Sequence, residues 1–201
     1  PGVRDDEVLV QVHAAGVNLL DAKIRSGEFK LILPYRVPFV LGHDVAGVVV
    51  RVGARVKRFK PGDEVYARPS DHRIGTFAEL IAVQEKDVAL KPQKLTMEEA
   101  ASLPLVGLTA WQALVERGQL KRGQKVFIQA GSGGVGTFAI QLARHLGATV
   151  ATTTSTSNTA GWPLRAPSTS SGNTFSPPVL MLADPRPSTR IEPSGSITAS
   201  S

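Results

Sequence analysis

The apolar positions of this chain follow one rhythm, then a second, and then none. Up to about residue 90 they come in short runs. Residues 7–14 (EVLVQVHA), 45–52 (VAGVVVRV), 64–67 (EVYA), 76–83 (TFAELIAV) and 87–90 (DVAL) are rich in β-branched residues and bounded by Gly, Pro and Asp, which predicts strands. One short helix is expected among them. Leu19, Leu20 and Ile24 recur at helical spacing between Asn18, an N-cap residue type, and Gly27, a helix stop. Short strands joined by turns such as Pro61-Gly62-Asp63 predict a partly open β-barrel.

Beyond residue 95 the spacing turns helical. Thr96 and Glu99 stand at the capping-box separation, with Leu95 and Ala100 as a staple. A break is expected around Pro104 and Gly107, then a second helix over 109–117 that ends at Gly118. Residues 125–130 (KVFIQA) predict a strand, and 148–154 (ATVATTT) predict another. The helix expected between them, 137–147, carries an apolar stripe of Phe138, Ile140, Leu142, Ala143 and Leu146.

Between that first strand and helix stands Gly131-Ser132-Gly133-Gly134-Val135-Gly136, which fits G-x-G-x-x-G. Alone the match is weak; inside a strand–helix–strand unit it predicts a dinucleotide-binding loop, the start of a doubly wound parallel sheet. Gly131 is expected to permit the tight turn, Gly133 to let a pyrophosphate approach, and Gly136 to let the helix pack on the sheet. The helix N-terminus offers free N–H groups and a partial positive charge to the phosphates. About 20 residues past the motif an NAD site carries a carboxylate for the ribose 2′-OH. Here the chain reads Thr152-Thr153-Thr154-Ser155-Thr156-Ser157-Asn158, hydroxyls that can bond a 2′-phosphate, which predicts NADP as cofactor.

Composition then removes whole classes of chemistry. The 201 residues include no cysteine, which excludes disulfide scaffolds, thiolate zinc sites, iron–sulfur clusters and a cysteine nucleophile. The net charge of +6 is spread along the chain, with Lys57-Arg58 and Lys121-Arg122 as the densest pairs, so no nucleic-acid partner is predicted. No apolar run reaches the ~20 residues of a membrane span, and the first residues lack the pattern of a signal peptide, so a cytoplasmic protein is expected. The first residue is Pro rather than Met, which predicts a fragment. From residue 159 the rhythm disappears. Residues 160–201 hold seven of the 14 prolines, and 159–201 is expected to be a disordered tail of frameshifted or unrelated sequence.

Taken together, EVLVQVHAAGVNLLDAKIRSG, PFVLGHDVAGVVVRVG, FKPGDEVYA, GTFAEL, AASLPLVGLTAWQAL and GQKVFIQAGSGGVGTFAIQLARHLGATV resemble the medium-chain dehydrogenase/reductase superfamily, and within it the zinc-free, NADP-dependent quinone oxidoreductase-like branch. The resemblance covers about three quarters of the chain, residues 7–158. It implies a GroES-like catalytic domain over 1–105, N-terminally incomplete, and a partial Rossmann NADP-binding domain over 106–158. It implies hydride transfer from NADPH to a small-molecule quinone, enone or related carbonyl compound. It matches Asn18 and Asp21 to catalytic-cleft positions, with Lys23 and Tyr35 as neighbours. It matches Thr109 to a position near the nicotinamide, Gly131 through Gly136 to the phosphate loop, and Thr154 and Ser155 to the 2′-phosphate contact. Intact relatives are implied to be homodimers.

Two alternatives stand beside this reading. One is a non-catalytic, truncated remnant of such an enzyme, since relatives continue the sheet beyond residue 158. The other is a relative of the zinc-type alcohol dehydrogenases, because His43 in Gly42-His43-Asp44 falls where that branch has a ligand. Without the branch's thiolates, no metal is expected and His43 reads as a hydrogen-bonding residue.

Overall fold

The computed structural model describes residues 2–33 and 35–153. Thr154, Ser155 and the expected tail over 159–201 lie outside the described residues. The chain divides into two compact units, Pro1–Thr109 and Ala110–Ser201.

The first unit is built on five antiparallel strands: β1 (Glu7–Gly16), β2 (Asp44–Val52), β3 (Glu64–Ala67), β4 (Leu80–Gln84) and β5 (Val88–Leu90), in spatial order β4-β1-β2-β3-β5. The two edge strands are consecutive in sequence and joined by a single 3-10 turn, Glu85–Asp87. Four Cα steps reach at most about 15 Å, whereas the edges of a flat five-stranded sheet lie about 19 Å apart. The sheet must therefore curl until its edges approach, which makes it the partly open barrel expected from the strand spacing. Its interior is valine-rich, with Val8, Val10, Val45, Val49, Val65, Val83 and Val88 packed around Phe59 and Ile81.

Helix α1 (Leu19–Ser26) follows β1, begins at Asn18 and ends on Gly27, whose φ of 85° is the left-handed C-cap. Helix α2 (Met97–Ala101) is N-capped as expected. Thr96 Oγ1 accepts the Glu99 N–H at 3.2 Å, and Glu99 Oε2 accepts the Thr96 N–H at 2.9 Å. Its Ala100 and Ala101 pack against Ala46 of β2.

Two expectations need correction here. The strand expected over 76–83 starts only at Leu80. The N–H groups of Gly75 and Phe77 instead donate to the carbonyls of Gly42 and Leu41, so this stretch is tied to a loop rather than to the ladder. Pro104 does not break a helix but opens one: α3 runs Pro104–Trp111, through Gly107, and continues as a π-helical turn over Gln112–Arg117. Proline at the first helical position gives up an N–H that has no intrahelical partner anyway.

The second unit consists of β6 (Lys125–Ile128), α4 (Gly134–His145) and β7 (Thr149–Thr152), with the strands parallel and Val126 paired to Val150. Both strands are shorter than expected. Helix α4 starts three residues early, inside the glycine motif. Its buried face is Ala139 and Ala143, packed with Val126, Ile128, Ala110 and Leu114, while Phe138, Ile140 and Leu142 are half-buried. The small residues, rather than the bulky stripe, let the helix approach its sheet.

One ion pair in the first unit is largely withdrawn from water. Glu7 is wholly buried, and Arg73 Nη2 lies 2.6 Å from its Oε1. Arg73→Ala strands that carboxylate and should cost about 3–5 kcal/mol of stability. Lys23→Ala, which breaks an exposed pair with Glu28, should cost little. Urea denaturation of the two variants checks the contrast.

Candidate functional site

The first unit gathers four polar side chains where β1, α1 and β2 meet. Helix α1 starts at Asn18, and the Asp21 carboxylate reaches back to it, Oδ2 accepting the Asn18 N–H at 2.8 Å. The Asn18 side chain is turned to the Asp21 N–H in return, and this capping box fixes Asp21 in the interior, where Oδ1 accepts the Gly42 N–H at 3.2 Å and lies 2.7 Å from His43 Nδ1. Both side chains are buried. His43 Nε2 is also buried and meets no hydrogen-bond partner among the described residues, as is true of Thr76 Oγ1. Asp21 is thus committed to the imidazole and two backbone amides.

The next residue, Asp44, opens β2 and is 1% exposed. Its Oδ2 accepts from Asn18 Nδ2 at 2.8 Å and its Oδ1 from the Leu105 N–H at 2.7 Å. Burial pushes its pKa up to about 6, while Asn18, Leu105, His43 and Arg68 pull it back. Sequence reading passed over Asp44 as a site residue. The signal available was an acid directly ahead of the apolar run 45–52, a position in which a carboxylate is seldom free in water.

The other predicted cleft residues do not join this network. Lys23 is exposed and held by Glu28 Oε2 at 2.7 Å. Tyr35 stacks on Phe39 with ring centroids 5.1 Å apart, and its hydroxyl donates to the Asp71 carbonyl. Burial, and then the charge of Asp71, raise its pKa, so the phenol keeps its proton through neutral pH. Thr109, on α3, donates its hydroxyl to the Leu105 carbonyl at 2.7 Å.

His43 and Asp21 supply two donors and already bond each other. Among the described residues no group of three or more His, Cys, Asp or Glu is arranged to hold a metal ion. A catalytic zinc needs three protein ligands, so these residues do not fit one.

The glycine loop of the second unit is stitched to the end of β7. The Ala130 N–H donates to Thr153 Oγ1 at 3.1 Å and the Gly131 N–H to the Thr153 carbonyl at 2.6 Å. The left-handed turn residue is Ala130, with φ 57°, not Gly131 as expected. Gly131 is required for another reason: a Cβ there would lie 2.1 Å from Thr152 Oγ1. Gly133 is the N-cap of α4, in extended conformation. A Cβ on Gly134 would meet no heavy atom within 4 Å. The first turn of α4, Gly134, Val135 and Gly136, has backbone N–H groups that lack an i−4 acceptor; it is open at Gly134, while Gly136 is buried.

Known proteins resemble this chain over much of its length. Residues 4–93 match the alcohol dehydrogenase GroES-like domain. The chain is 46% identical over 164 residues to the 2-methylene-furan-3-one reductase of Solanum lycopersicum, across 78% of this chain and 42% of that protein. It is 46% identical over 152 residues to the chloroplastic NADPH-dependent alkenal/one oxidoreductase of Arabidopsis thaliana, across 73% of this chain and 39% of that protein. The Escherichia coli quinone oxidoreductase, solved in complex with NADPH, matches with a TM-score of 0.68 at 32% identity, over 80% of this chain and 48% of its own. The chain belongs to the medium-chain dehydrogenase/reductase superfamily. It spans about two fifths of the length of these two curated superfamily members. No helix among its described residues is long and apolar enough to cross a membrane.

Asp44 gives the buried cluster of the first unit a pH signature. Folding raises its pKa from an ordinary 3.8 to about 6, so the folded chain holds an extra proton in that window. Its contribution to stability falls as pH rises through the window and stays low above it. Asp44→Asn removes the titration. The stability difference should move in the variant's favour by about 2 kcal/mol between pH 4 and pH 7, read from melting curves of both proteins across that range.

Proposed function

We propose that this chain carries the catalytic unit and phosphate loop of an NADPH-dependent, zinc-free oxidoreductase that reduces a quinone, an enone or a related carbonyl compound in the cytoplasm. The observation that carries the reading is the glycine loop opening α4. Its first turn is free of side-chain obstruction at Gly134, in a chain whose relatives include an NADPH-dependent alkenal/one oxidoreductase and a quinone oxidoreductase solved with NADPH. Gly131, Ser132, Gly133, Gly134, Val135 and Gly136 would hold the pyrophosphate, with the dipole of α4 favouring its charge. Thr109 is the candidate beside the nicotinamide. Thr154 and Ser155, the candidates for the 2′-phosphate, lie outside the described residues.

Bound NADPH supplies the hydride. The protein's own share is to orient the acceptor and to manage one proton. Tyr35, which keeps its phenol proton through neutral pH, is the candidate donor.

A second reading, a non-catalytic remnant, is favoured by one feature. The described part of the parallel sheet has two strands, and a sheet of that size is marginal by itself.

Purified full chain with NADPH and either a 2-alkenal or a benzoquinone separates the readings. Loss of the reduced-nicotinamide absorbance that depends on both protein and acceptor establishes the reductase. Saturable NADPH binding without turnover selects the remnant. In either case Gly134→Asp should weaken NADPH binding about tenfold or more through charge repulsion. Its melting temperature should hold or rise, because the site is open and an acid suits a helix start.

A further inference from the structure

The most exposed large apolar side chains among the described residues are gathered in one stretch. Val17, Leu19, Leu31, Ile32 and Val37 are each 73–99% exposed, and no other large apolar side chain exceeds 60%. Val17 and Leu19 flank Asn18 ahead of and at the start of α1. The other three stand on the turns that follow α1. There the Ile32 and Leu33 N–H groups donate to the Phe29 carbonyl at 2.9 and 2.7 Å, which closes a turn around the fully exposed Leu31. Phe29, Leu33, Tyr35 and Phe39 are half-buried. The Tyr35 ring stacks on Phe39 and its hydroxyl bonds the Asp71 carbonyl, so the aromatic side of the loop is fastened while its aliphatic side stands in water. From residue 23 to residue 40 the chain carries Lys23, Arg25, Lys30 and Arg36 against one acid, Glu28, which Lys23 takes. Asp71 bonds Arg68. Arg25, Lys30 and Arg36 are exposed and make no ion pair among the described residues.

We propose that the turn carrying Leu31, Ile32 and Val37 docks this chain on the surface of an anionic lipid bilayer. The three aliphatic side chains enter the boundary between headgroups and acyl chains. Lys30 and Arg36, each next to one of them in sequence, stay at the level of the phosphates. Two observations favour lipid over a protein partner. A side chain exposed to 99%, as Leu31 is, protrudes, and a fluid bilayer receives a protruding tip without a cavity shaped for it. The cores of protein interfaces are depleted of charge, whereas here unpaired cations of one sign adjoin the apolar tip and match the charge of anionic headgroups. The contact lies on the membrane and does not cross it, in keeping with the lack of a long apolar helix among the described residues. None of this rests on the reductase reading.

The test floats the purified full chain, without cofactor, on vesicles of phosphatidylcholine alone or mixed with phosphatidylserine. The mixed vesicles should bind it about tenfold or more tightly than the neutral ones, and added salt should weaken that binding. Leu31→Asp combined with Ile32→Asp should lower binding to the mixed vesicles about tenfold or more, because ionised groups resist leaving water. Lys30→Glu with Arg36→Glu should lower it by a similar factor. Arg51→Glu with Lys86→Glu makes the same change in net charge at exposed residues elsewhere on the barrel and should keep most of the binding. Every substituted side chain is exposed, so melting temperatures should stay near that of the native chain. If one of the two loop variants does not fold, the other carries the test. A native chain that does not bind the mixed vesicles overturns the proposal. Binding that a folded loop variant leaves unchanged overturns it too, as does an equal loss in the Arg51/Lys86 variant, which would make the effect one of net charge. A dimer in sedimentation that Leu31→Asp with Ile32→Asp dissociates also overturns it, because a second copy then covers the tip. Absence of NADPH turnover defeats the reductase reading alone, since the vesicle measurement still decides this one.

Discussion

The first unit depends on keeping three titratable side chains, Asp21, His43 and Asp44, almost wholly out of water. A buried carboxylate costs several kcal/mol unless its lone pairs are met. Here each partner comes from a different place in the sequence: Asn18 from the start of α1, Gly42 and His43 from the approach to β2, and Leu105 from the start of α3. Satisfying two acids therefore fixes where two helices begin relative to one strand. Asp21 serves as helix cap and as imidazole partner at once, so removing the cap also unsettles the base beside it.

The second unit meets a different demand with the same economy. A helix that starts on glycines leaves its first N–H groups without side-chain cover. Gly133 and Gly134 leave the turn bare, and the bonds from Ala130 and Gly131 to Thr153 hold the loop against β7 so that the turn stays open. The close packing of helix on sheet comes from Ala139 and Ala143 at an i, i+4 spacing.

Where local chemistry decides, the sequence was readable. Thr96 and Glu99 form their capping box, Gly27 ends α1, and the valine runs became strands because nothing else buries them so well. It misled where a local signal has two meanings. Proline reads as a breaker, but Pro104 sits where a helix begins. Glycine reads as a turn residue, but Gly131 is set by an approach to Thr152, 21 residues away, which no window along the chain can reveal. The barrel's last long strand was overextended because Gly75 and Phe77 pair with the loop before β2, a contact across more than 30 residues. Asp44 was missed for the same reason: its importance lies in partners 26 and 61 residues distant.

The polarity of Asn18 shows what such distant partners decide. From sequence, an asparagine side chain can donate or accept, and the family resemblance does not say which. The carboxylate of Asp44 removes the choice, because it takes the amide's NH2 for itself. The rest of the same amide is turned to the start of α1, facing the Asp21 N–H. Tyr35, the candidate source of the proton, lies outside that network, tied to Asp71 and stacked on Phe39. Asn18 and Tyr35 are thus held by separate contacts, each partly buried and each made to a residue far away in sequence.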